Sequence, residues 1–300
     1  MQFIDIHAHA YRRPVPFVVQ FCSEEELLAR YDAEDIRMGA LLPIVSPEIY
    51  FPQANEDILD MVERHPDRFF AFCNLDPRAL TNAADAPLDR VLRYYKDKGC
   101  KGVGEIMPNL RTNDPLVQNL FKHAERVGLP VTTDGSNRLG GDFGLYDEVG
   151  LPQMEESLQR FPKLDFIGHG PVFWAEISRI DRPARRKPPF FPDGEQTPWT
   201  PFDGKIVDEG VLPQLLREYG NLYGELSDAF AALARDEEYA LRFLTEFQDK
   251  LFFGTDICTC QARFGIKELL LKWHDAGKLP DVVFEKIMFR NAINYFQLPE

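Results

Sequence analysis

Short apolar runs rich in β-branched and aromatic residues recur along this chain, and longer stretches of helical periodicity fill the intervals between them. Eight runs predict strands at 3–6, 38–45, 69–74, 102–106, 130–133, 164–168, 222–226 and 251–254. The intervals predict helices at 24–31, 55–64, 88–98, 116–127, 152–160, 211–219, 236–247 and 263–274. Within 116–127, Leu116, Val117, Leu120, Phe121, Ala124 and Val127 follow the three-and-four spacing of one helical face, which should pack on the strands. Alternation of this kind calls for a parallel sheet with crossover helices. Eight repeats in 300 residues match one (β/α)8 barrel, which takes about 250 residues plus insertions, so 1–300 is read as a single domain.

One stretch breaks the rhythm. Residues 181–208, after the sixth strand, are dense in Pro, Gly and charge and have no period of their own. Long irregular connections in compact domains serve as lids or as exposed insertions. The aromatics Phe190, Phe191, Trp199 and Phe202 favour a lid. A last helix over 281–296 carries Val283, Ile287, Ala292 and Phe296 toward one side and is expected to dock on the outside of the barrel.

With 44% hydrophobic and 27% charged residues the chain can bury a sizeable core. A formal net charge of -14 speaks against a nucleic-acid-binding surface, which needs clustered Lys and Arg. No apolar run approaches the roughly 18 residues of a membrane span, and MQFIDIHAHA lacks the basic start and apolar stretch of a signal peptide. The expectation is a cytoplasmic protein without membrane or nucleic-acid partners, acting on a small molecule, with a homo-oligomer left open. Five cysteines suggest no disulfide framework, and the close pair Cys258 and Cys260 is a weak metal signal that reads as structural or incidental thiols.

In a barrel of this type catalytic groups emerge at the C-terminal ends of strands. His7 and His9 stand two apart in extended chain and project to the same side, so two imidazoles can reach one cation. Asp256 follows the last apolar run, beside the first strand once the barrel closes, and can bind that cation while accepting a proton from an attacking water. His169 ends the sixth strand between Gly168 and Gly170, which leave room for a substrate, and can polarise a carbonyl or shuttle a proton. Glu105 ends the fourth strand, either as a ligand or as a carboxylate orienting His7 or His9. Asp134 ends the fifth. Arg111, Arg138 and Arg179 follow strands four to six and could clamp a substrate carboxylate, and Arg138, Arg179 and Trp174 are the expected substrate-binding residues. Ser227 and Asp228 are further candidates for the pocket.

The motifs IDIHAHA, GVGEI, FIGHG, LFFGTD and the closing EKIMFRNAINYF resemble the amidohydrolase superfamily over nearly the whole chain, specifically the amidohydrolase-related branch of metal-dependent hydrolases and non-oxidative decarboxylases. The resemblance implies one or two divalent ions, zinc foremost, held by His7, His9 and Asp256 with help from the fifth strand. Asp134 stands where many relatives carry a histidine. It either ligates through oxygen, which would favour Mn or Mg, or is no ligand, or marks a weak or absent metal.

Three functions follow. Hydrolysis of a small ester, lactone or amide by a metal-activated water leads, with Asp256 and His169 catalytic. Metal-dependent decarboxylation of an aromatic or unsaturated acid would use nearly the same residues. A barrel that has lost catalysis and acts as a binding protein is the reading from another class.

Overall fold

The computed structural model describes residues 3–13, 20–48, 53–181, 186 and 204–299. The predicted insertion over 181–208, with Phe190, Phe191, Trp199 and Phe202, lies outside the described residues apart from Asp181, Arg186 and 204–208. The strands are β1 (Phe3–Ala8), β2 (Ile36–Leu41), β3 (Phe69–Ala71), β4 (Val103–Ile106), β5 (Val131–Ser136), β6 (Leu145–Tyr146), β7 (Phe166–His169), β8 (Leu222–Glu225) and β9 (Leu251–Phe252). The helices are α1 (Glu24–Ala33), α2 (Asn55–Arg64), α3 (Asp89–Asp97), α4 (Pro115–Val127), α5 (Pro152–Arg160), α6 (Gly170–Ala175), α7 (Val211–Glu218), α8 (Phe230–Ala234), α9 (Glu237–Glu246), α10 (Gly265–Asp275), α11 (Asp281–Glu285) and α12 (Asn291–Phe296). All strand pairs are parallel, in the orders β1-β2-β3 and β4-β5-β7-β8-β9, with the short β6 beside β5.

Backbone hydrogen bonds continue across both gaps between the two sheets. Cys73 N donates to Gly102 O at 3.0 Å and Gly104 N to Cys73 O at 2.9 Å, joining β3 to β4. Ile6 N donates to Phe253 O at 3.0 Å and His9 N to Ile257 O at 2.9 Å, joining β9 to β1. The result is the predicted α/β barrel, with α4 typical of its outer layer. Asp114 caps α4 through Leu116 N, Pro115 opens it, and Gly128 closes it at φ 72°. Its residues Val117, Leu120, Phe121, Ala124 and Val127 are buried, as the spacing predicts. The periodicity does not foretell α6 and α8, of six and five residues, because neither completes two turns of an amphipathic repeat. No helix among the described residues is long and apolar enough to cross a membrane.

The C-terminal segment departs from expectation. Instead of one helix lying against the outer wall, 281–296 runs as α11, a π turn over Lys286–Arg290, and α12. Val283 and Ile287 do join the outer layer. Ala292, Phe296 and Leu298, however, pack with the inward side chains Ile4, Met38, Phe70 and Phe252. The Phe296 ring lies 5.6 Å from Phe70, 5.5 Å from Phe72 and 5.9 Å from Phe252. The reason is that inward apolar residues at the N-terminal ends of the strands need a dry cover, and the end of the chain supplies it.

Phe296→Ala should therefore cost about 3–5 kcal/mol of stability, as a buried aromatic truncation in a core does, read as a lower denaturant midpoint. A midpoint within error of the wild type would show that this ring does not close the barrel floor.

Candidate metal centre

Strand alternation alone would put His7 on the same face as Asp5. Asp5 faces outward, its carboxylate accepting from Tyr31 Oη at 2.8 Å and Thr255 Oγ1 at 2.6 Å. What turns His7 inward is a bulge. Asp5 pairs with Gly39 and Ala8 with Leu41, so β1 spends one residue more than β2 over the same span. A bulge re-aims the side chains beyond it. Asp5 then steadies the turn by accepting from His7 N at 3.0 Å and Thr255 N at 2.9 Å. Burial pushes the Asp5 carboxyl up to about 6, against the pull of these hydrogen bonds.

Four groups converge above the bulge. His7 Nε2 lies 3.1 Å from His9 Nε2, 3.4 Å from Glu105 Oε2 and 3.6 Å from Asp256 Oδ1. His9 Nε2 lies 3.5 Å from Glu105 Oε2 and 3.2 Å from Asp256 Oδ1. Bonds of about 2.0–2.2 Å to one tetrahedral ion place its ligands about 3.3–3.6 Å apart, so these separations fit a shared cation. The proton positions agree. His9 Nδ1 is 2.8 Å from Leu42 O, which only accepts, so that nitrogen carries the hydrogen and a neutral His9 offers the Nε2 lone pair inward. His7 Nδ1 faces Glu225 Oε1 at 3.2 Å in the same way. Two lone pairs 3.1 Å apart need a cation or a proton between them.

His169 closes one side, its ring centroid 4.2 Å from that of His7. Its Nδ1 is bonded to Glu225 Oε1 and lies 3.0 Å from Ser227 Oγ, which leaves Nε2 3.4 Å from Glu105 Oε1 and 4.0 Å from Asp256 Oδ2. Burial opposes a charge on His169, but Glu225 and Glu105 outweigh it and carry the imidazole up to about 10. Burial likewise opposes charge on His7 and His9, yet both are raised by Glu105, Asp256 and, for His7, Glu225. The carboxyls of Glu105, Glu225 and Asp256 stay below their usual range despite burial, because the histidines lie beside them. The cluster thus demands positive charge.

Glu225 escapes the sequence reading, because the apolar run 222–226 predicts a strand that continues past it. In the structure it is the last residue of β8, fully buried, bonded to His7, His169 and the Ser227 hydroxyl. A polar residue ending an apolar run is the signal that could have found it. Its carboxylate fills the space beside Gly254, where any Cβ would collide with Oε2. Asp256 sits at φ 49°, a left-handed conformation in which Asp is better tolerated than most side chains. Its N donates to His7 O at 2.8 Å.

Other expected residues lie elsewhere. Asp134 is outside the His7, Glu105, His169 and Asp256 group, its carboxylate directed between Gly144 and Gly170. The room expected beside His169 is also taken: a Cβ at Gly170 would strike Asp134 Oδ1 and one at Gly168 would strike Phe173. These glycines admit protein side chains rather than substrate. Trp174 is 1% exposed, packed on Gly224 and Phe243 with Nε1 donating to Glu225 O at 2.9 Å, so its indole supports the end of β8. Arg138 is exposed and donates to Gly141 O at 2.6 Å, Arg179 is exposed, and Arg111 pairs with Glu148 at 3.2 Å. Asp228 does face the cluster, 3.9 Å from His169 Nε2, and loss of solvent together with Asp256 and Glu225 pushes its carboxyl up to about 7 against the pull of His169.

Comparison with curated protein sequences returns no match. Among solved structures, an uncharacterised TIM-barrel protein of Bordetella bronchiseptica superimposes with a TM-score of 0.65 at 15% identity, covering 99% of each chain. A probable 2-pyrone-4,6-dicarboxylic acid hydrolase of Acinetobacter baumannii with citric acid bound gives 0.59 at 14% identity, covering 99% of this chain and 100% of the other. The 2,6-dihydroxybenzoate decarboxylase of Rhizobium gives 0.57 at 16% identity, covering 99% of each. These likenesses are of fold, and the sequence family is given by a match to the Amidohydrolase model over residues 4–298, so this chain belongs to the amidohydrolase family.

Proposed function

We propose that this protein is a metal-dependent hydrolase of a small ester, lactone or amide. The observation that carries the reading is the meeting of His7, His9, Glu105 and Asp256 at ligand spacing, with His169 alongside. A divalent ion bound there, zinc foremost and Mn or Mg as harder alternatives, would lower the pKa of water and polarise a carbonyl. Asp256, kept ionised and still 28% exposed at its side chain, accepts the proton of the attacking water. His169 holds its Nδ1 hydrogen against Glu225 and Ser227, so its Nε2 faces the substrate side and donates to the carbonyl oxygen or leaving group. Glu225 fixes both His7 and His169 from beneath, the outer support that metal-site imidazoles require.

Glu105, Glu225 and Asp256 are held ionised by the histidines beside them, and a divalent ion bound there would offset part of that charge.

The first test is a screen of metal-loaded protein against lactones and esters on one side and aromatic carboxylates on the other. Acid release from the lactones and esters is expected. Carbon dioxide from the carboxylates, without lactone cleavage, would replace this reading with decarboxylation; absence of bound metal and of both activities would point to a binding barrel.

Asp256→Asn should lower kcat by about 10²–10⁴-fold in protein whose circular dichroism is unchanged, and full activity would remove Asp256 from the mechanism. Glu225→Gln should weaken metal affinity by about 10–100-fold. Because His7 and His9 hold protons in the metal-free protein above the ordinary imidazole range, binding must displace them. Calorimetry in buffers of different ionisation enthalpy should therefore show proton release, and affinity should rise as pH rises through neutrality. Affinity independent of pH would contradict the proposed ligands.

A further inference from the structure

A second group of donors adjoins the first. His9, Asp256 and Cys258 bring ligand atoms within 4.8 Å of one another, and the Cys258 thiol donates to Asp256 Oδ1 at 3.6 Å. Its position is built into the backbone. Ile257 O accepts from His9 N at 2.9 Å and Cys258 O accepts from Cys22 N at 2.8 Å, so the residue is held between the end of β1 and the segment leading into α1. The left-handed turn at Asp256 lets the carboxylate of 256 and the thiol of 258 meet on the side where His9 presents Nε2. Around the sulfur the surroundings are apolar, since Cys258 packs against the cluster of Tyr11, Phe21, Ile44 and Met107. His169 and Cys258 therefore flank the four oxygen and nitrogen donors, and the protein offers one soft ligand among hard ones.

We infer that Cys258 is a ligand of the metal centre and biases it toward thiophilic divalent ions such as zinc or cobalt over manganese and magnesium. The inference rests on the reading that His7, His9, Glu105 and Asp256 hold a cation. When the sulfur–metal bond forms, the S–H bond breaks and its proton leaves to solvent; no redox change is involved. Thiolate sulfur bonds strongly to zinc and cobalt and poorly to magnesium and manganese, so a single such donor is enough to tilt a site whose other ligands suit both classes.

The test is Co(II) added to chelator-treated protein, read by absorption, with Cys258→Ser and Cys260→Ser side by side. The wild type and Cys260→Ser should show the near-ultraviolet sulfur-to-cobalt charge-transfer band. Cys258→Ser should bind Co(II) without that band and lose about tenfold or more of its preference for zinc over manganese in competition, measured by elemental analysis. A wild type that binds Co(II) with no charge-transfer band overturns the role of Cys258 and leaves the four-donor site intact. A wild type that binds no Co(II), zinc or manganese overturns both readings. A band that persists in Cys258→Ser and vanishes in Cys260→Ser assigns the sulfur to the other cysteine and also sinks the inference.

Discussion

A single buried carboxylate, Glu225, organises the mouth of this barrel. It is fully enclosed, and a lone carboxylate in such a place would be expensive; it persists because two imidazoles and a hydroxyl surround it. The same contacts fix which nitrogen of His7 and His169 carries hydrogen. The opposite nitrogens then point toward Glu105 and Asp256, and the chemistry of the mouth follows from that orientation. Gly254 is part of the arrangement, since any side chain there would occupy the carboxylate's space.

The rest of the fold keeps that geometry rigid. The bulge in β1 turns His7 inward and Asp5 outward, and Asp5 ties β1 to Thr255 and to Tyr31 of α1. Asn74 bridges from the end of β3 to Pro43 O at 2.9 Å and Glu105 O at 2.6 Å, fastening the strand ends on that side. At the other end of the barrel α12 seals the apolar interior with Phe296. A dry floor and a hydrogen-bonded rim give precise side-chain placement at the mouth, which metal ligation needs more than it needs any one residue type.

The electrostatics of the donor cluster have one sense. Glu105, Glu225 and Asp256 stay ionised and the histidines gain affinity for protons, so the donor cluster attracts whatever positive charge is available. Metal and protons compete for the same lone pairs. Asp228 and Asp134 lie at the edge of this field, one with a raised carboxyl facing His169 and the other directed toward Gly144 and Gly170.

The sequence by itself determined the eight strand and helix repeats, because periodicity is local and each repeat announces its buried face. It also determined the polar residues that end strands: His7, His9, Glu105, His169 and Asp256 were legible because each follows an apolar run. Only tertiary structure decided the rest. Glu225 was hidden by a strand boundary off by one residue, the inward turn of His7 depends on pairing with β2, and the place of the last helix depends on which apolar surface was left uncovered. Asp134 and Trp174 end up beside the site instead of in it for the same reason: a strand end gives a side chain its level in the barrel, while its direction is set by neighbours distant in sequence.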